Sequence, residues 1–152
     1  MTSTLVPDTA SSTSTISLDP AKAFAAVALA AVSWDGVLTA AGSRALRHAL
    51  DYREPYRSLG DKGMVEMIDE LLSALRSDGA QHLMLSAAQA MNERQRHTAY
   101  AVAAEIMRSD GALQPDEINI LASLADALDL DEEETTKVLS VMDMLHANLL
   151  EE

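Results

Sequence analysis

Apolar residues recur along this chain at spacings of three and four, the period of helices that each bury one face. The clearest run is Met64, Val65, Ile68, Leu71, Leu72 and Leu75, bounded by Asp61 as a cap and by Asp78-Gly79 as a stop. Ahead of it, Asp19-Pro20 opens a helix through Phe24, Val27, Ala28 and Ala31, which stops near Asp35-Gly36. A second helix starts at Thr39 and turns Leu46 and Leu50 inward. It breaks at Tyr52-Arg53-Glu54-Pro55-Tyr56, because a residue before proline resists the α conformation.

Beyond Gly79 the period continues. Leu83 to Met91 form another helix, and Asn92 caps the next, which carries Tyr100, Ala103, Ala104 and Met107 toward Asp110-Gly111. Pro115 opens a helix containing Ile118, Leu121, Leu124 and Leu128. Asp131 starts the last, with Glu134 placed for a capping box and Val138, Val141, Met142 and Leu145 turned inward. The β-branched and aromatic runs of a sheet are missing. The pattern predicts an all-α protein, a single compact bundle of about seven helices.

Composition agrees. Hydrophobic residues make up 48% and aromatics only 3%, so the core is built from Ala, Leu, Met, Val and Ile. A length of 152 residues suits one domain. The Ser/Thr-rich start predicts a disordered tail over residues 1–18 and a helical domain over 19–152. That start has no Lys or Arg and no continuous apolar stretch, unlike a secretory signal, and Ala21–Val32 is too short to cross a bilayer. The absence of cysteine excludes disulfides, thiolate catalysis and zinc–thiolate sites, and fits a cytoplasmic protein.

Charge narrows the partners. The net charge is −13. It is unevenly placed, because residues 21–108 are balanced while Lys137 is the only base from Ser109 onward. Such a field repels nucleic acid and anionic lipid and favours cations or basic protein surfaces.

The chain also repeats itself. A shift of seventy-five residues lays Ala26-Val27-Ala28 on Ala101-Val102-Ala103, Asp35-Gly36 on Asp110-Gly111, Leu38 on Leu113 and Leu46 on Leu121. Each copy is helix, Asp-Gly-x-Leu turn, helix, which predicts two pseudo-symmetric helical hairpins packed together.

In the order of these marks the sequence resembles the TerB family, the tellurite-resistance-associated helical domains related to the N-terminal part of the DjlA co-chaperone. They are the two Asp-Gly turns, the Tyr52–Tyr56 break, and Asp110-Gly111-x-Leu113 followed by Glu117, spread over roughly Ala21 to Leu145. The resemblance implies a compact helical bundle, cytoplasmic or peripherally associated with a membrane assembly, with no established reaction. It also implies a cation site formed by acids near the turns, which carries over to Asp35, Asp110 and Glu117. The sequence departs from a symmetric site in one place, where the first hairpin has Gly42 opposite Glu117.

The residues themselves leave two readings of those acids. A carboxylate beside the unpaired carbonyls of a helix end suits a divalent cation, with Ca²⁺, Mg²⁺, Mn²⁺ or Zn²⁺ as candidates. Alternatively Asp-Gly simply stops the helix, with Asp bonding forward into the turn, and Glu117 bonds back to the start of its own helix. Arg76-Ser77-Asp78-Gly79-Ala80 copies Arg108-Ser109-Asp110-Gly111-Ala112 with no acid following, which favours the stop. The run Asp129–Glu134 lacks the mid-loop glycine of a calcium loop and reads as a solvated cap.

Catalytic signatures are missing. Asp143 with His146 and Glu93 with His97 have the spacing of helix-surface pairs, and no Glu-x-x-His pair, Gly-x-Ser-x-Gly elbow or phosphate loop occurs. The methionines fall mainly on apolar stripes, and an exposed group of them would make an adaptable partner surface. The expectation is a non-enzymatic, protein-binding TerB-like module of a tellurite-resistance or stress-response system. A divalent cation is its one candidate cofactor. A metal-dependent helical enzyme and a simple cation buffer are the alternatives.

Overall fold

The computed structural model describes residues 16–109 and 111–150, and among them lie seven helices and no strand. They are α1 (Pro20–Ser33), α2 (Ala40–Leu50), α3 (Tyr56–Asp78), α4 (Ala80–Gln89), α5 (Glu93–Arg108), α6 (Pro115–Ala127) and α7 (Glu132–Leu145). Residues 1–15, most of the expected tail, lie outside the described residues. Ile16 and Leu18 pack half-buried against the core.

Alanine content decides which helix is central. From Ala25 to Ala30 every side chain of α1 is buried, and a helix that is apolar all round must be covered on all sides. Helices α2, α3, α4 and α5 provide that cover. Asp19 caps α1 by accepting from the Lys22 N–H at 2.8 Å, and Pro20 occupies the first turn. The corresponding helix of the second hairpin, α5, packs directly on α1 and buries Ala99, Tyr100, Val102, Ala103, Ala104, Ile106 and Met107. Equivalent helices of the two hairpins therefore meet at the centre. α4 also packs on α3 and α6, and α7 packs on α5.

Several local expectations need correction. α3 begins at Tyr56, and Gly60, at φ +72°, breaks it before the apolar run starts. The Asp61 carboxylate bonds across to the Arg47 guanidinium at 2.7 Å. Val65, Val141 and Leu145, which the period turns inward, are exposed, as is Ile118. On α7 the inward positions are Thr135, Val138, Leu139 and Met142, an i, i+3, i+4, i+7 set that the apolar Val141 and Leu145 obscured in the sequence. Asp131 caps α7 through the Glu133 N–H at 3.1 Å, so its partner is not Glu134. No helix among the described residues is long and apolar enough to cross a membrane.

Candidate functional site

The two repeated turns share a positive-φ glycine and an arginine on its carbonyl. In the first, the Asp35 carboxylate accepts from the Val37 N–H at 3.0 Å, and Gly36 takes φ +86°. In the second, Gly111 takes φ +129°. Both values lie where a side chain is strained, which is why each turn uses glycine. Each glycine carbonyl accepts a guanidinium. Arg76 of α3 donates to the Gly36 carbonyl at 2.8 Å, and Arg108 of α5 donates to that of Gly111 at 2.7 Å. A positive charge thus already neighbours both turn carbonyls.

Of the acids predicted as ligands, Asp35 bonds forward into its own turn, and Glu117 accepts from the Gln114 N–H at 2.9 Å, capping α6. Asp110 lies outside the described residues. Among the described residues, no three His, Asp or Glu side chains come together as a ligand set for a metal ion. Asp35 instead shares a groove of about 450 Å³ with Asp116 and Asn119 of α6, beside Trp34 and Ile120. Sequence reasoning missed Asp116 and Asn119, whose only signal was their place in the first turns of the helix after the second Asp-Gly.

The departure at Gly42 has a steric cause. Thr39 caps α2 by accepting from the Gly42 N–H at 3.0 Å. A Cβ on Gly42 would stand 3.2 Å from Val32 Cβ, 3.2 Å from Thr39 Oγ1 and 3.4 Å from the Val32 carbonyl. The first turn of α2 lies so close to the end of α1 that a side chain there forces its neighbours apart.

The end of α7 is tied to α5 by polar contacts. Asp143 accepts from Arg108 at 3.3 Å, and His146 Nε2 lies 2.7 Å from a Glu105 carboxylate oxygen. The two residues expected to pair along one helix each reach across to another. The outer side of α7 leaves Val141, Met144 and Leu145 exposed by 47, 74 and 65%, at spacings that make them neighbours. Glu132, Glu133 and Glu134 fill the first turn of the same helix. Among the described residues, nothing covers this apolar face.

The Tyr52–Tyr56 break, read in the sequence only as a helix end, lines a second cleft. Tyr56 is buried and its hydroxyl donates to the Ala21 carbonyl, while burial raises its pKa well above the ordinary value. Two hydrogen bonds, from Ser58 and then Arg57, hold the exposed Glu54 carboxyl below the usual carboxylate range. Compared with protein families, curated proteins and solved structures, the chain matches none of them.

Proposed function

We propose that this chain is a non-enzymatic, TerB-like protein-interaction module of a cytoplasmic stress-response or tellurite-resistance assembly. The observation that supports it is the outer face of α7, where Val141, Met144 and Leu145 stand exposed on a helix that starts with three glutamates. An exposed apolar group on an acidic surface suits a partner that offers apolar side chains among basic ones. Met144 adds a flexible, polarisable contact that adapts to the partner's shape. The link to tellurite resistance rests on the resemblance in the order of the Asp-Gly turns and the Tyr52–Tyr56 break.

The test compares proteins captured from native lysate by the parent and by a Val141→Asp, Leu145→Asp variant. Both substituted side chains are exposed, so the variant keeps the fold, which a thermal melt verifies. The proposal expects a defined partner that the parent retains and the variant loses. Identical captures, or no specific capture by either, overturn it.

A further inference from the structure

Beyond that surface, we infer that the cleft between the start of α1 and the Tyr52–Tyr56 segment is a binding site for a carboxylate carried on a small apolar body. The cleft has a volume of about 320 Å³ and is lined by Pro20, Phe24, Arg53, Pro55, Tyr56 and Gln95, among others.

The polar groups around it divide into used acceptors and unused donors. The two Glu54 carboxylate oxygens accept from Ser58 at 2.7 Å and Arg57 at 3.0 Å. The Gln95 side-chain oxygen accepts from the Asn92 N–H at 2.9 Å, and the Ala21 carbonyl accepts from Tyr56. Two donors remain. Arg53 gives its Nε–H to the Ala49 carbonyl at 3.1 Å and has no carboxylate partner among the described residues, so its terminal nitrogens keep their N–H groups. The Gln95 amide nitrogen also has no acceptor among the described residues.

Arg53 is held in place before any ligand arrives. Its guanidinium carbon stands 5.6 Å from the Phe24 ring centre and 5.0 Å from that of Tyr52. A guanidinium stacked on aromatic rings and fixed at Nε loses little freedom on forming a forked bond, so it recognises a planar carboxylate well. The rings of Phe24, Tyr56, Pro20 and Pro55 supply apolar walls for the rest of the ligand. The volume lies near the bottom of the roughly 300–1,000 Å³ range of small-molecule sites, which sets the size of that body. In a chain of net charge −13, a carboxylate binds only where local donors outweigh the repulsion; here the Arg53 guanidinium and the Gln95 amide are free to donate, while the one carboxylate lining the cleft, Glu54, is engaged by Ser58 and Arg57.

Nuclear magnetic resonance titration of the full chain with phenylacetate and with neutral phenylacetamide tests the site. Phenylacetate should give saturable shifts around Phe24, Arg53 and Gln95, and bind about tenfold more tightly than the amide. Arg53→Gln should erase the preference for the acid. Gln95→Glu provides a variant certain to keep its cap, because a glutamate at this helix position accepts from the Asn92 N–H as glutamine does. It replaces the donor with a negative charge and should also erase the preference. N-acetyl-glycyl-phenylalanine separates two sources of the same group. Tighter binding than phenylacetate assigns the cleft to peptide C-termini, and weaker binding assigns it to free acids; either upholds a carboxylate site. Equal binding of acid and amide, no shift with any probe, or undiminished acid binding by Gln95→Glu overturns the inference.

Discussion

The α1–α2 and α5–α6 hairpins carry the same Asp-Gly-x-Leu signature and stabilise it by different means. In the first, the arginine on the turn carbonyl comes from another helix, α3, and the following helix is capped by the Thr39 hydroxyl. In the second, the arginine belongs to the helix that ends there, and Glu117 provides the cap. The difference follows from position. α2 starts tight against the end of α1, where a side chain at Gly42 would crowd Val32 and Thr39. The start of α6 has room for a glutamate. A repeated motif therefore keeps the turn geometry, while its surroundings choose the side chains that satisfy it.

Truncating a core leucine in each hairpin tests whether the two are equally buried. Leu46 and Leu121 occupy equivalent positions and are both fully buried or nearly so. Each change to alanine should cost about 2–5 kcal/mol, measured by chemical denaturation. A loss in one hairpin several-fold larger than in the other would break the equivalence.

The two arginines should differ. Arg108 is buried and also holds Asp143 of α7, whereas Arg76 is exposed. Arg108→Gln should cost about 1.5–3 kcal/mol, because it leaves the Gly111 carbonyl and Asp143 without their charged donor. Arg76→Gln should cost about 1 kcal/mol or less, since water replaces the guanidinium.

At Gly42 two effects oppose each other. Alanine is the better helix former by about 1 kcal/mol, but here its Cβ presses on Val32 and Thr39. Crowding should win, so Gly42→Ala lowers stability by about 1 kcal/mol. Glu117→Ala loses only a cap bond and should cost about 0.5–1 kcal/mol. A stabilising Gly42→Ala would show that α1 and α2 can separate freely.

Tyr56 braces α1 through its bond to the Ala21 carbonyl, and its ionisation adds a pH dependence. Burial raises the Tyr56 pKa in the folded state, so the native chain holds that proton more tightly than the unfolded chain. Its contribution is fully present below the unfolded value of about 10 and is lost as pH rises through the higher folded value. Thermal melts should therefore weaken above about pH 10 in the parent. Tyr56→Phe is less stable at neutral pH, yet its alkaline decline should be shallower.

How far the sequence revealed this molecule depended on the strength of its periodicity. Seven helices and most of the buried faces of Met64–Leu75 and Tyr100–Met107 were legible from their apolar spacing, Val65 excepted. α7 was not, since it carries two adjoining apolar stripes. Period alone could not choose between Leu139 facing inward and Leu145 facing outward. Asp35 and Glu117 were readable as turn and cap residues, but a carboxylate that bonds a backbone N–H and one that binds an ion share the same sequence signature. Arg53 and Gln95 stayed hidden because their meeting depends on how α5 packs beside the Tyr52–Tyr56 segment.

In both turns the glycine N–H bonds back to the preceding helix, Gly36 to the Ser33 carbonyl at 2.8 Å and Gly111 to the Arg108 carbonyl at 3.0 Å, and an arginine bonds the glycine carbonyl; these bonds are expected to close the turns without an ion. Melting temperatures of the parent, Asp35→Asn and Glu117→Gln should be followed in Ca²⁺, Mg²⁺, Mn²⁺ and Zn²⁺ at fixed ionic strength, because screening alone stabilises so acidic a chain. No divalent ion should raise the parent more than matched monovalent salt, and both variants should follow it. A rise specific to one divalent ion in the parent, lost in Asp35→Asn or Glu117→Gln, would contradict that expectation.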